Sequence, residues 1–324
     1  MSHVSAENAA VMQPAPAHFV HYIKIARYDH WIKNAFMLPG VVLGVGVSPS
    51  LSYDLLFLIP MALLSTCLAS SANYAINEYL DADFDRFHPL KKQRPGVIYS
   101  LDFRLVALEY LLLVSASVML AYTIGTLFTF TIVALLVMGL LYNVPPVRLK
   151  DRVYLDVISE SLNNPLRLIL GWSTVLGSIF PPSSIIIAYW SGGAFLMAVK
   201  RYSEYRRIGD PQLAGKYRRS FLFYTEEGLL LSSLFYAISS AFFLGIFLIK
   251  YRIEFLLTFP LFALLFTWYM AIGLKPNSAA QAPEKLYAES RFMMFVGFLC
   301  LTVCLLLFID MPLLHKLTVP LTLK

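Results

Sequence analysis

The chain has 324 residues, of which 58% are hydrophobic and only 14% are charged. Ordinary soluble domains carry about 25% charged residues, so this composition excludes a soluble globular enzyme and predicts one polytopic membrane domain. The 26 Lys and Arg residues exceed the 20 Asp and Glu residues. We expect this excess to mark the cytoplasmic loops of a membrane protein and predict no nucleic-acid partner.

The N-terminal region divides into two segments. Residues 1–17 are polar and rich in Ala and Pro, without a basic stretch that leads into an apolar one. We predict a disordered tail there, not a cleaved signal peptide. Residues 18–33 are amphipathic and carry three basic residues, which predicts an interfacial helix at the membrane surface.

Windows of about 20 apolar residues predict an all-α domain of nine membrane-spanning helices within residues 34–310, followed by a short tail over residues 311–324. Gly40, Gly44 and Gly46 in the first span predict that another helix packs closely there. The predicted spans cover residues 34–48, 54–79, 103–121, 124–142, 153–179, 184–205, 225–249, 254–273 and 289–310.

The basic residues are distributed unevenly between the two sides of this bundle. Of the 26 Lys and Arg, 21 lie in the N-terminal arm and in or beside the loops after spans two, four, six and eight. The positive-inside rule therefore places these loops and the N-terminus in the cytoplasm and the C-terminus outside. We expect an integral protein of a bacterial inner (plasma) membrane whose chemistry faces the cytoplasm.

The end of the second predicted span carries a polar stripe. Asn73, Asn77, Asp81 and Asp85 recur every four residues and would share one helix face, with Glu78 beside them. Hard oxygen ligands without nearby His or Cys suit Mg²⁺, which usually takes one or two carboxylates. We predict Asn77, Asp81 and Asp85 as its ligands. The alternative is a solvated helix end with a mixed-charge loop.

The fifth span holds Asp156, Glu160, Asn163 and Arg167 on one helical face. Ionised side chains in a membrane face a cavity or a partner because lipid does not solvate them. We predict that Asp156, Glu160 and Arg167 line a wet cavity. The alternative is a buried Glu160–Arg167 network that only orients helices. Pro165 should kink this span because it removes a backbone donor.

The sixth span ends in a basic segment. Lys200 and Arg201 lie next to the apolar run and are placed to hold a phosphorylated substrate, as are Lys92 and Arg94 after the acidic stripe. Mg²⁺-type carboxylates that face Lys and Arg in a lipid-embedded bundle suit a diphosphate handled together with a lipid. Further basic residues are a topology signal or bind anionic lipid, namely Arg206, Arg207, Lys216, Arg218 and Arg219.

The acidic stripe, Asn77-Glu78 followed by Asp81 and Asp85, resembles the NDxxDxxxD motif of the UbiA superfamily of intramembrane prenyltransferases. Residues 142–150, YNVPPVRLK, are similar to the YxxPPxRLK loop before the fifth span in many members. The resemblance implies nine helices around a central cavity open to the cytoplasm and laterally to lipid. It also implies Mg²⁺ dependence and a role for Tyr142 at the site.

Three further stretches resemble the decaprenyl-phosphate phosphoribosyltransferase branch of this superfamily. They are HWIKN at 30–34 (similar to QWxKN), His88-Pro89 with Lys92, Arg94 and Pro95 (HPxKxxRP), and KRYSE at 200–204 (KR-x-x-E). The resemblance implies transfer of 5-phosphoribose from phosphoribosyl diphosphate to a polyprenyl phosphate. The implied substrate contacts are Lys33, Lys92, Arg94, Lys200, Arg201, Tyr202 and Glu204, with Glu78 beside the metal.

Two alternatives stay open at this point. A UbiA-type enzyme that moves a prenyl group to an aromatic or glycerol-lipid acceptor would carry a second acidic motif, DxxxD, after span six. Only Glu204 and Asp210 could form a second metal site here. A transporter would distribute charge through the membrane depth, whereas here the charge gathers at one end. Lipid chain length, downstream pathway and oligomeric state do not follow from the sequence.

Overall fold

The computed structural model describes residues 15–48, 52–251, 253–276, 278–281 and 283–317. These residues are almost entirely helical, apart from a two-residue parallel pairing of Ala15–Pro16 with Tyr99–Ser100. The α-helices are α1 (Phe19–Ile25), α2 (Leu38–Val47), α3 (Leu55–Asp85), α4 (Pro95–Ile98), α5 (Phe103–Ile124), α6 (Thr126–Asn143), α7 (Leu155–Ser161), α8 (Asn163–Leu176), α9 (Ser183–Ile208), α10 (Pro211–Tyr217), α11 (Glu226–Tyr251), α12 (Phe259–Gly273), α13 (Ser290–Leu306) and α14 (Pro312–Leu317).

Within the described part of the chain, six helical segments are long and apolar enough to cross a membrane. They are α3, α5, α6, α9, α11 and the stretch Ile253–Gly273 that ends in α12. The other three predicted spans correspond to shorter helices, which are α2, the α7–α8 pair and α13. The all-helical fold is thus observed, whereas the count of nine spans and the sidedness of the bundle stay predictions.

The fifth predicted span is broken, as expected from Pro165. Helix α7 ends at Ser161, and α8 begins at Asn163. Pro165 lies in the first turn of α8. Backbone N–H groups there have no intrahelical acceptor, so proline removes no helical hydrogen bond. The break separates Asp156 and Glu160 on α7 from Arg167 on α8, so the predicted polar face is divided between two helices.

Helices α2 and α8 approach each other at two glycines. A Cβ on Gly40 would lie 2.0 Å from the Leu168 carbonyl oxygen, and one on Gly171 would lie 2.0 Å from the Met37 carbonyl oxygen. A Cβ on Gly44 would likewise meet Val175 at 3.0 Å. The close packing predicted from glycines in the first span is therefore confirmed, and it brings two backbones into contact without intervening side chains.

The predicted interfacial helix over residues 18–33 is also divided. Helix α1 is followed by a 3₁₀ helix over Tyr28–Met37, and Arg27 between them adopts a left-handed φ of 50°. The predicted N-terminal tail lies mostly outside the described residues, as do residues 318–324 of the C-terminal tail.

One end of the bundle, called the site end below, carries the polar side chains. Helices α3, α6 and α9 end there, and α10 lies next to them together with a 3₁₀ turn over Arg219–Leu222. An aromatic core fixes this segment: Tyr202 of α9 packs with Tyr217, Phe221 and Tyr224. The packing holds the chain around Arg218 in place over the ends of α3 and α9.

Candidate functional site

The acidic stripe of α3 meets a lysine from the loop after α6. Lys150 Nζ lies 3.0 Å from Asn77 Oδ1 and 2.8 Å from Asn143 Oδ1, and it also donates to Asp81 Oδ1. The side chain of Lys150 is only 4% exposed. One cation thus sits among three hard oxygen atoms, two of which belong to predicted metal ligands.

The two stripe carboxylates have different partners. Asp81 also accepts a hydrogen bond from Arg148 Nη2 at 2.8 Å, whereas Asp85 pairs with Arg94. Both carboxylates line one narrow pocket at the site end. Its other lining residues are Phe84, Arg148, Lys150, Asp151, Tyr217 and Arg218. The stripe therefore faces basic side chains from two later segments of the chain.

Glu78 is separated from this pocket. Its side chain is 1% exposed, pairs with Arg27 and accepts a bond from the Gly96 backbone N–H at 3.4 Å. A Cβ on Gly96 would lie 2.7 Å from the Glu78 carbonyl oxygen, so the two segments are in backbone contact. Glu78 thus ties α3 to α4 and to Arg27 after α1, while Asn77 and Asp81 face the loop after α6.

Arg201 is the centre of a buried ion-pair network. Its guanidinium, which is 0% exposed, donates to Asp156 Oδ2 at 3.0 Å and to Glu204 Oε2 at 3.0 Å, and it also pairs with Glu160. Lys200 Nζ lies 3.4 Å from Glu160 Oε1. Full burial among these carboxylates is typical of a positioning residue, while the predicted contact of Arg201 with a substrate stays a prediction.

Asp156 is likewise not on a cavity wall. It is 0% exposed and accepts hydrogen bonds from Tyr224 at 2.6 Å and Ser220 at 3.3 Å besides that from Arg201. The prediction that it lines a wet cavity is wrong here, because the aromatic segment after α10 covers it. Glu160 does keep 24% of its side chain exposed.

Tyr142 connects this network to the pocket. Its hydroxyl donates to Glu160 Oε2 at 2.7 Å and accepts from Arg201 Nη2 and Arg218 Nη1, each at 3.1 Å. Arg218 also lies 3.7 Å from Asp156 and has a buried Nε without a protein partner in the described residues. Arg218 is thus held over the pocket by the network and keeps an unused donor.

The position of the family's second acidic motif is occupied by paired charges. Glu204 is 1% exposed and lies 3.4 Å from Lys91 Nζ besides its bond to Arg201. Asp210 is exposed and caps α10 by accepting from the backbone N–H groups of Gln212 and Leu213. Glu204 therefore forms buried ion pairs, whereas Asp210 caps a helix. Within the described residues, no cluster of three His, Cys, Asp or Glu side chains forms a metal site.

The remaining predicted contacts are scattered. Lys33 Nζ lies 3.1 Å from His30 Nδ1, and Arg167 donates to Asn34 Oδ1 at 3.0 Å rather than to Glu160. Tyr202 belongs to the aromatic core and is 4% exposed, and its role as a substrate contact stays a prediction. Lys92 is exposed, whereas its neighbour Lys91 is the residue that turns inward to Glu204.

Three basic residues of the pocket are not among the residues that the sequence predicts for the site: Arg148, Lys150 and Arg218. Arg148 and Lys150 belong to the YNVPPVRLK loop, so the motif itself contained their signal. The sequence groups Arg218 with the basic residues that are a topology signal or bind anionic lipid, and nothing in its local sequence distinguishes it from Arg219. Its burial depends on the packing of the segment after α10.

Burial changes the protonation of the loop residues around the pocket. It lowers the pKa of Lys150 to about 8, with Arg148 adding to the effect and the Asp81 carboxylate opposing it. Burial also lowers the pKa of His88 to about 3, so this imidazole is neutral and its Nδ1 accepts from the Leu90 and Lys91 backbone N–H groups. The loop after α3 is therefore held by a neutral histidine.

Comparison with known proteins gives consistent sequence matches. The profile of the UbiA prenyltransferase family matches residues 34–299. Decaprenyl-phosphate phosphoribosyltransferase of Mycolicibacterium smegmatis is 28% identical over 232 residues, 70% of this chain and 70% of that protein. The protein of the same name from Mycobacterium tuberculosis strain H37Rv is 28% identical over 196 residues, 60% of this chain and 63% of that protein.

Solved structures share the fold. A UbiA homolog from Archaeoglobus fulgidus bound to GPP and Mg²⁺ superposes with a TM-score of 0.67 at 22% identity, covering 89% of this chain and 100% of that one.

A lycopene elongase/hydratase of Haloarcula japonica is 24% identical over 183 residues, 56% of this chain and 60% of that protein. The relatives therefore have more than one named activity.

Proposed function

The chain belongs to the UbiA prenyltransferase family, and we propose that within it the protein transfers 5-phosphoribose from phosphoribosyl diphosphate to a polyprenyl phosphate and releases diphosphate. It is a transferase by family. The observation that carries the finer proposal is the composition of the pocket, in which the two carboxylates of the stripe face three basic side chains, Arg148, Lys150 and Arg218, with Asp151 beside Arg148.

Several basic side chains from different segments of the chain converge on the pocket. Arg148, Lys150 and Arg218 line the pocket, and Lys91 lies beside it against Glu204. A prenyl diphosphate brings one anionic group and a hydrocarbon tail. Phosphoribosyl diphosphate brings a diphosphate and a separate 5-phosphate, and its lipid acceptor brings a third phosphate. Arg is well suited to such groups because its planar fork binds phosphate oxygens bidentately.

The ion pairs of Glu204 with Arg201 and Lys91 also favour phosphoribosyl transfer over prenyl transfer. A second metal at this position would have to displace both Arg201 and Lys91, and it would leave a fully buried guanidinium without one of its carboxylates. We infer that this part of the site holds an anion directly through basic side chains. Two relatives named decaprenyl-phosphate phosphoribosyltransferase support the proposed reaction.

The stripe also fits a divalent cation. The Lys150 ammonium occupies a position among the oxygens of Asn77, Asp81 and Asn143, which is the hard donor set that Mg²⁺ prefers. Asp85 adds a carboxylate to the same pocket. Asn77, Asp81 and Asp85 would hold Mg²⁺ in place of the Lys150 ammonium, which would then turn to a phosphate oxygen, and the bound ion would neutralise the charge of the leaving diphosphate.

The chain's own residues then mainly bind and orient. A phosphate oxygen of the lipid forms a bond to the anomeric carbon while the bond from that carbon to the diphosphate oxygen breaks. A phosphate oxygen is already anionic at neutral pH, so no general base is required. Arg148, Lys150 and Arg218 bind phosphate oxygens, and the Arg201 network positions Tyr142 and Arg218. Catalysis is positioning with charge stabilisation.

A second candidate is transfer of a prenyl group from a prenyl diphosphate to an aromatic or glycerol-lipid acceptor. It is favoured by the fold shared with the Archaeoglobus fulgidus homolog that was solved with GPP and Mg²⁺. The stripe of α3 would hold the diphosphate in either reaction, so the two candidates differ in which group the basic side chains bind.

One experiment separates the candidates. The purified protein is incubated with Mg²⁺, a polyprenyl phosphate and labelled phosphoribosyl diphosphate, and in parallel with labelled prenyl diphosphate and candidate acceptors. We expect label in lipid only in the first set, and label only in the second set would overturn the proposal. Asp81→Ala should abolish turnover in a folded protein, and EDTA should do the same for the wild type. Normal turnover in Asp81→Ala would refute the metal assignment.

A further inference from the structure

A second polar cavity of about 280 Å³ opens at the site end between the last turns of α9 and α12. Its lining residues are Ser203, Arg206, Arg207, Gly273, Lys275 and Pro276. None of them lines the pocket of Asp81 and Asp85. The cavity is thus a separate feature, and its three cations are not used in the proposed reaction.

The walls of this cavity are fixed by close helix packing. A Cβ on Gly273 of α12 would lie 2.3 Å from Val199 Cγ1 of α9, so only glycine permits this approach. Ser203 Oγ donates to the Gly273 carbonyl oxygen at 2.8 Å, and Gln281 Nε2 donates to the Ser203 carbonyl oxygen at 3.1 Å. The buried side of the cavity is therefore saturated by protein hydrogen bonds, which leaves the cations at its mouth.

The cations at the mouth are only weakly neutralised. Arg206 Nε lies 3.5 Å from Glu226, and Lys275 Nζ lies 2.9 Å from Glu289, but each of these side chains is between 28% and 54% exposed. Such solvent-exposed pairs contribute little because water screens them. Arg207 donates to the uncharged Gln281 at 2.9 Å. A phosphate group could thus exchange with the two carboxylates and gain three charge-assisted donors.

The surroundings of the cavity are apolar. Leu274, adjacent to Lys275, is 44% exposed, and Leu264 farther along α12 is 46% exposed. On α13 the side chain of Met294 is 68% exposed. A basic cavity between membrane-spanning helices, with apolar side chains along the same helices, matches a headgroup with its acyl chains. A free phosphate ion would contact only the three cations and would leave the apolar side chains without a partner.

We propose that the cavity between α9 and α12 binds the phosphate of an anionic phospholipid, with Arg206, Arg207 and Lys275 as its ligands. The site is distinct from the one that takes the lipid acceptor, and the proposal does not rest on the proposed function. Bound lipid would join the ends of α9, α12 and the segment that leads into α13.

Binding can be measured on the full-length protein in detergent micelles, with phosphatidylglycerol, phosphatidylcholine and inorganic phosphate as probes. We expect phosphatidylglycerol to bind and raise the unfolding temperature more than the other two probes. The double variant Arg207→Gln/Lys275→Gln should bind it about 30-fold more weakly, since each surface cation contributes about a factor of five to tenfold. Lys275→Arg should retain binding.

Arg104→Gln is the matched control, because Arg104 is an exposed cation at the start of α5. It should bind phosphatidylglycerol like the wild type. Equal binding by the double variant and the control would overturn the site. An equal response to phosphatidylcholine, or a full response to inorganic phosphate alone, would overturn its assignment to an anionic lipid.

Discussion

Lys150 Nζ lies 3.0 Å from Asn77 Oδ1, so a cation from the loop after α6 contacts the acidic stripe of α3. The two residues are 73 positions apart in the chain. Their contact joins the two motifs of the site, and it places a buried positive charge where a diphosphate would meet the stripe.

Replacing Lys150 by Met should lower turnover about 10²-fold or more, because one donor to the charge that develops on the leaving diphosphate is lost. Steady-state assay of label transfer into lipid measures this effect. Arg104→Met, which removes an exposed cation, should leave turnover unchanged. Turnover of Lys150→Met within twofold of the wild type would show that Lys150 has only a structural role.

Replacing Arg201 by Met should destabilise the protein by about 3–5 kcal/mol, since the buried carboxylates of Asp156 and Glu204 lose their shared partner. Denaturant unfolding in micelles gives the change in unfolding free energy. Arg86→Met is the comparison, because Arg86 forms an exposed pair with Asp83 that should contribute about 0–1 kcal/mol. Equal losses in both variants would contradict the buried network.

Replacing Gly171 by Ala should destabilise the fold by about 1–3 kcal/mol, because the new methyl group would overlap the Met37 carbonyl and push α2 from α8. Gly245→Ala is the control, since nothing lies within 4 Å of a Cβ on Gly245 in α11. That change should be neutral or stabilise by about 0.5–1 kcal/mol through helix propensity. Thermal unfolding in the same detergent compares the two, and a stable Gly171→Ala would refute the contact.

His88 should make the protein sensitive to acid. Its pKa is about 3 in the folded chain against 6.5 for the free side chain, so below pH 6.5 the unfolded chain binds a proton that the folded chain does not. The stability from this group is present above pH 6.5 and is lost as the pH falls toward 3. The loss should reach about 2 kcal/mol at pH 5.

His88→Asn tests this pH effect, because Asn retains an acceptor for the Leu90 and Lys91 backbone N–H groups but does not titrate. Unfolding free energies at pH 7 and pH 5 should differ less in the variant than in the wild type. The other histidines are common to both proteins and cancel in the comparison. Equal pH dependence of stability in the two proteins would show that a group other than His88 causes the acid sensitivity.

The sequence predicted most of the framework of the site. Helical period alone places Asn77, Asp81 and Asp85 on one face, and all three are on α3 as expected. The break at Pro165 and the close approach at Gly40 also follow from local chemistry. What these features share is that each depends on residues within a few turns of one helix.

The contacts that each side chain makes with other helices could not be predicted in the same way. Asp156 and Glu160 are one turn apart on α7, yet the first is fully buried and the second is partly exposed. Tyr202 and Arg201 are neighbours in sequence, but one enters an aromatic core and the other an ion-pair network. Such differences are set by how α9 and the segment after α10 pack on α7.

The sequence by itself determined the membrane class through its apolar composition. It also determined the helical period and the acidic stripe, because backbone hydrogen bonding imposes a fixed repeat over short distances. Only the tertiary structure decided that Lys150 and Arg148 face Asp81, that Arg218 is drawn inward, and that Glu204 is saturated by Arg201 and Lys91. These contacts join residues far apart in the chain, and helix packing together with the cost of burying an unpaired charge selects among the available partners.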